Sequence, residues 1–118
     1  MKGFFLEPEC REVDGLKVLV LPDNSFPVVA VYSLAYVGSV NESDSEAGIS
    51  HFVEHLLFKG TPQRPVGRIG YEIMRAGGEV NGFTTDDYTG YTIAIDSSKL
   101  DLALDIHGDA MAYSTFDA

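Results

Sequence analysis

The run Gly48-Ile49-Ser50-His51-Phe52-Val53-Glu54-His55-Leu56-Leu57-Phe58 decides how this chain is read. Ile49, Phe52, Val53, Leu56 and Leu57 recur at helical spacing, which predicts a helix over 49–58 with an apolar stripe for a core. Ser50, His51, Glu54 and His55 form a polar stripe opposite it. Gly60-Thr61-Pro62 stops the helix, because proline has no N–H and disfavours a helical residue before it. Upstream, the polar stretch Gly38 to Glu46 predicts a loop, with Ser43 or Ser45 as the cap of the helix that follows.

Working outward, Val66 to Ala76 predicts a second helix closed by Gly77-Gly78. Thr89 to Ile95 alternates weakly and predicts a strand. Leu100 to Tyr113 predicts a third helix with Leu100, Leu104 and Met111 on one face. Towards the N-terminus, Leu16 to Leu21 reads as a strand ending in the turn cluster Pro22-Asp23-Asn24-Ser25. Pro27 to Val37 reads as a longer strand, and the two are expected to pair as a hairpin. Helices and strands alternate irregularly, so the expected class is α+β: an antiparallel or mixed sheet with helices packed on it. No linker or repeat divides residues 1–118, which read as a single domain. Ser114 to Ala118 carries no stop signal, so the expectation is the truncated N-terminal part of something longer.

The chain has 118 residues, enough for one core, and is 45% hydrophobic and 22% charged, as ordinary globular domains are. Eight Lys and Arg face eighteen Asp and Glu, giving a net charge of −10. Binding to nucleic acid or an anionic membrane surface needs clustered cations, so neither is expected as a partner. One cysteine, Cys10, cannot form an internal disulfide. No stretch approaches the ~20 apolar residues of a membrane span. The opening MKGFF is too short for a secretory signal, so the reading is a soluble chain of open compartment.

Residues four apart lie one turn apart on one face of a helix, so His51 and His55 can bite one ion through two imidazoles. Glu54 lies about 60° round the helix from His51 and about 100° from His55, on one flank of the pair. Zinc suits imidazole nitrogen, and a catalytic zinc keeps three protein ligands and one open water position. It lowers the pKa of that water to about 7. A flanking carboxylate can then take the proton and pass it to a leaving amine. The expected roles are therefore His51 and His55 as ligands of Zn2+ and Glu54 as catalytic base.

The longer string Gly48 to Thr61 resembles the signature of the pitrilysin-type (M16) metallopeptidases, the inverted-motif group that includes insulin-degrading enzyme and the mitochondrial processing peptidase. Gly77-Gly78-Glu79-Val80-Asn81-Gly82-Phe83-Thr84 resembles the family's GGxxNAxT stretch. Thr89 and Tyr91 match its following strand, Leu100 to Phe116 its next helix, and Leu16 to Gly38 its hairpin. Gly82 and Ser50 stand where the family often has Ala; both are small. The resemblance implies a zinc metalloendopeptidase acting on peptides or unfolded polypeptides. It also implies that Asn81 binds substrate, on a strand at a sheet edge beside the metal to which the substrate adds as a further strand. The family's third ligand is a glutamate on a helix beyond Tyr113, so the resemblance implies that these 118 residues alone are inactive. Bare apolar faces and strand edges then favour self-association as a homo-oligomer.

Other readings stand beside this one. A non-catalytic relative that binds polypeptide usually lacks a motif residue, and all three are here. The lyase type that also carries an HxxEH string needs a catalytic cysteine, and Cys10 has the wrong context. His107 reads as a buried or half-buried histidine in a helix–sheet contact rather than a ligand. Glu72, Glu79, Asp86 and Asp87 read as solvated charges.

Overall fold

The computed structural model describes residues 6–116. Strands β1 (Glu9–Val13) and β2 (Leu16–Val20) form a two-stranded antiparallel sheet. Their turn is Asp14-Gly15, with φ of 50° and 81°. Positive φ at both central residues is the type I′ geometry, whose twist matches that of the flanking strands. The hairpin expected between 16–21 and 27–37 therefore does not form. The two-residue Asp-Gly closure pairs β2 with β1, whereas the Pro22 to Pro27 stretch is a connection between sheets.

The second sheet has the order β3-β5-β4, with β3 at Val28–Ala35, β4 at Glu79–Thr84 and β5 at Thr89–Asp96. All pairings are antiparallel; Ile93 of β5 lies between Val31 and Val80. Helices α1 (Ile49–Leu57), α2 (Arg68–Arg75) and α3 (Leu100–Tyr113) pack on one face of this sheet. The expected α+β class holds, and the three helices lie within two residues of their expected bounds.

The core sits between the helices and the inward residues of the sheet. Ile69 and Ile73 of α2, Ile93 and Ile95 of β5, and Ala103, Ile106 and Ala110 of α3 are buried there, with Val29, Val31 and Val80 against them. The apolar face expected for α3 is corrected: Leu100, Leu104 and Met111 are exposed, and the small residues Ala103 and Ala110 let the helix approach the sheet. On α1, Leu56 and Leu57 are buried, but Ile49 and Phe52 are exposed. The reason is that Ser50 and Glu54, half of the polar stripe, turn towards the fold instead of solvent.

One buried polar cluster ties the loop after α1 to α2 and α3. Arg64 donates to Asp109 Oδ2 at 2.7 Å, to Glu72 Oε2 at 3.2 Å and to Asp105. The Thr61 hydroxyl donates to the same Asp109 oxygen at 2.7 Å. Glu72 is thus a partner of Arg64 and Arg68, not the solvated charge expected. Burial works against the charge on Asp109, but the hydrogen bonds from Arg64 and Thr61 outweigh it and hold the carboxyl below its ordinary range. His107 is buried as expected, with Nε2 2.6 Å from Ser33 Oγ of β3.

Candidate metal centre

Helix α1 begins at Gly48, whose N–H and that of Ser50 both donate to the Glu42 carboxylate, at 2.7 and 2.8 Å. Glu42 therefore satisfies the orphan amide groups of the first turn. Of the two expected caps, Ser43 instead opens the short 3-10 turn Asp44–Glu46 and Ser45 lies within it. The chain reaches α1 past the β4–β5 turn: the N–H groups of Ser39 and Val40 donate to the carbonyls of Thr85 and Asp86. A Cβ on Gly38 would collide with those same carbonyls, so only glycine allows this approach.

Held this way, α1 carries His51, Glu54 and His55 over the β4 end of the sheet. His51 Nε2 and His55 Nε2 converge to 3.0 Å, with ring centroids 4.5 Å apart. Two nitrogens on a tetrahedral zinc, each ~2.0–2.1 Å from the ion, stand about 3.3 Å apart, so this pair fits one ion with little movement. A Glu54 oxygen lies 3.9 Å from His51 Nε2. The donor atoms of the three residues lie within 4.8 Å of one another. The two imidazoles are exposed to an approaching ligand, while only 10% of the Glu54 side chain is exposed.

Glu54 is enclosed by β4 and β5. The Thr84 hydroxyl donates to Glu54 Oε2 at 2.8 Å. Gly82 lies so close that a Cβ there would come within 2.9 Å of Glu54 Cγ. Tyr91, opposite Gly82, is buried; burial and the nearby Glu54 charge both push its phenol pKa up, so it stays neutral. The sequence assigned no role at the site to Thr84, Gly82 or Glu42. The signal was present for two of them, because period-two spacing puts Val80, Gly82 and Thr84 on one face of a strand.

Asn81 lies on that strand but is not brought together with His51, Glu54 and His55. Its neighbours Gly82 and Val80 face the helices, so its side chain belongs to the other face, where it is exposed. Strand β4 forms one edge of the sheet among the described residues. Thr85 N–H donates to the Tyr88 carbonyl across the Asp86-Asp87 turn. Alternation from that bonded pair turns the backbone N–H and C=O of Val80, Gly82 and Thr84 outward, away from β5. The Gly82 N–H is taken up by Asn81 Oδ1 at 2.9 Å. A cleft of about 480 Å³ lined by Arg68, Tyr71, Glu72, Arg75 and Lys99 shares no residue with this site. The candidate metal centre is an open surface beside a strand edge rather than a cavity.

The family model of the insulinase group, peptidase family M16, matches residues 18–118. The chain belongs to peptidase family M16. A zinc protease of Bacillus subtilis, YmxG, is 35% identical over 104 residues, covering 88% of this chain and 25% of that protein. The mitochondrial-processing peptidase subunit beta of Dictyostelium discoideum is 38% identical over 81 residues, covering 68% of this chain and 17% of its own. The crystal structure of a protease from Helicobacter pylori superposes with a TM-score of 0.89 at 32% identity, covering 94% of this chain and 27% of that one. The periplasmic protease PqqL from Escherichia coli gives 0.84 at 26% identity, covering 93% and 13%. This M16 chain therefore spans about a quarter or less of the proteins it matches. No helix among its described residues is long and apolar enough to cross a membrane.

Proposed function

We propose that this chain is the metal-binding part of a zinc endopeptidase that cuts peptides or unfolded polypeptides. The observation that carries the reading is the convergence of His51 and His55 to 3.0 Å with Glu54 beside them. His51 and His55 would hold Zn2+ through Nε2. Zinc, when held there, supplies Lewis acidity that makes a water molecule nucleophilic near neutral pH. Glu54 is the carboxylate placed to take a proton from an attacking water and to return it to the leaving amine. Its place beside the pair, with one oxygen held by Thr84, supports the role of base over that of third ligand. Substrate lies along the outward edge of β4 as an added strand, bound mainly through its backbone. Asn81 acts in that binding: its Oδ1 holds the Gly82 N–H that a substrate carbonyl would take over. That all three motif residues are present weighs against the alternative of a polypeptide-binding relative that does not cut.

The test is made on the full-length protein. Glu54→Gln is expected to retain zinc and lose peptide hydrolysis by at least ~100-fold, the lower end of what a general base contributes. His51→Ala with His55→Ala is expected to lose the metal. Near-normal turnover in Glu54→Gln would sink the catalytic reading, and wild-type zinc content in the double variant would put the metal elsewhere.

A further inference from the structure

We propose that Thr84 is the positioning residue of Glu54, and that its hydroxyl sets the catalytic competence of the base without touching metal or substrate. This rests on the peptidase reading of Glu54 given above. A glutamate on a helix surface has several staggered rotamers, and most of them swing its carboxylate away from a ligand held by neighbouring histidines. Two independent features of β4 remove that freedom here. The Thr84 hydroxyl donates to Glu54 Oε2 at 2.8 Å across 30 positions of sequence. On the other side, Gly82 leaves the space that the Glu54 stem fills; a Cβ there would stand 2.9 Å from Cγ and 3.0 Å from Oε1.

Thr84 is itself held firmly. It is β-branched, so its χ1 is stiff in a strand. It pairs with Thr89, and the Thr89 hydroxyl donates to the Val37 carbonyl at 2.8 Å. The hydroxyl has one proton to donate and gives it to the Glu54 carboxylate, which fixes where that carboxylate points. One bond occupies one lone pair of Oε2, and the remaining lone pairs are left for the proton that catalysis moves. Precise placement of a base by a partner on a rigid strand is what distinguishes a competent constellation from one that is merely present.

The experiment compares Thr84→Val, Thr84→Ser and Glu54→Gln in the full-length, zinc-loaded protein. Thr84→Val keeps the shape and deletes only the hydroxyl; kcat is expected to fall about tenfold or more, the scale of an outer-shell partner. KM and zinc content are expected to stay unchanged, and Thr84→Ser is expected to recover most of kcat. A crystal structure of the Val variant is expected to show the Glu54 carboxylate displaced. Should that variant not fold, Thr84→Ala gives the same comparison with Ser. Wild-type kcat in a folded Val or Ala variant, or a Ser variant as impaired as Val, overturns the proposal. So does a loss that falls on KM or zinc content instead. If Glu54→Gln is inactive while Thr84→Val is not impaired, only the role of Thr84 is lost. If Glu54→Gln itself turns over normally, the peptidase reading goes with it.

Discussion

Among the histidines, His107 is the buried one, and burial pushes its pKa below the ordinary 6.5. In the unfolded chain it would take a proton near pH 6.5, while the folded chain resists that proton until a lower pH. Its neutral form therefore contributes stability that is complete above pH 6.5 and is lost as pH falls towards the lowered folded value. His107→Gln keeps a hydrogen-bonding head for Ser33 and does not titrate. Urea midpoints measured from pH 7.5 to 5 are expected to fall less steeply for this variant than for the parent; equal slopes would contradict the assignment. The convergence of the residues that share one helix turn was readable from the sequence, since His51, Glu54 and His55 lie at fixed angles on α1. Thr84 was not readable as their partner, because its contact depends on how α1 crosses β4. Asn81 was placed on the right strand by resemblance, but the pleat turns its side chain to the other face.

At the scale of elements, the Arg64 cluster is what fixes the loop after α1 against α2 and α3. Arg64→Leu would leave Asp109 buried with Thr61 as its remaining partner. Removing one side of a buried pair is strongly destabilising, and a loss of up to about 3 kcal/mol is expected here. Asp109→Asn should cost less, since Glu72 and Asp105 still face the guanidinium. Thermal or urea unfolding of the two variants checks the order; Arg64→Leu at parental stability would show that the cluster is dispensable. Helix α3 was read with its bounds of Leu100 and Tyr113, because apolar periodicity runs its whole length. Its buried face was misread, since the larger residues Leu104 and Met111 mark the exposed side and alanines mark the sheet. The β1–β2 hairpin was misread for a local reason: Asp14-Gly15 is a strong turn signal that outweighs the Pro22 to Ser25 cluster.

Across the whole molecule, the sheet is covered by helices on one side only. Val28, Tyr32 and Leu34 of β3 are exposed on the other, and Phe83 of β4 lies over Gly90 there. The open face is the one on which β5 places Gly90, Thr92, Ala94 and Asp96, while its bulky Tyr91, Ile93 and Ile95 face the helices. The 118-residue chain is expected to fold but to bind zinc less tightly than the full-length protein, because with Glu54 acting as the base the cluster among its described residues offers only two ligands, His51 and His55. It is expected to show no peptide hydrolysis. The open face and the β3 and β4 edges should make it self-associate. Zinc titration and sedimentation at several concentrations decide this; a monomer with one tightly held zinc and peptidase activity would contradict it.

The two-residue turn at Asp14-Gly15 has a consequence for time rather than for shape. The hairpin it closes has only two strands, and its side chains are exposed except for the half-buried Val18. Two strands without a covering layer are marginal in water. Their amide protons are then released by local opening, whereas those of Ile93 and Ile95, fully enclosed in β5, wait for the sheet as a whole to open. Deuterium should therefore enter the 9–20 segment long before the 91–95 segment. Equal uptake in both would mean that the hairpin opens only together with the sheet.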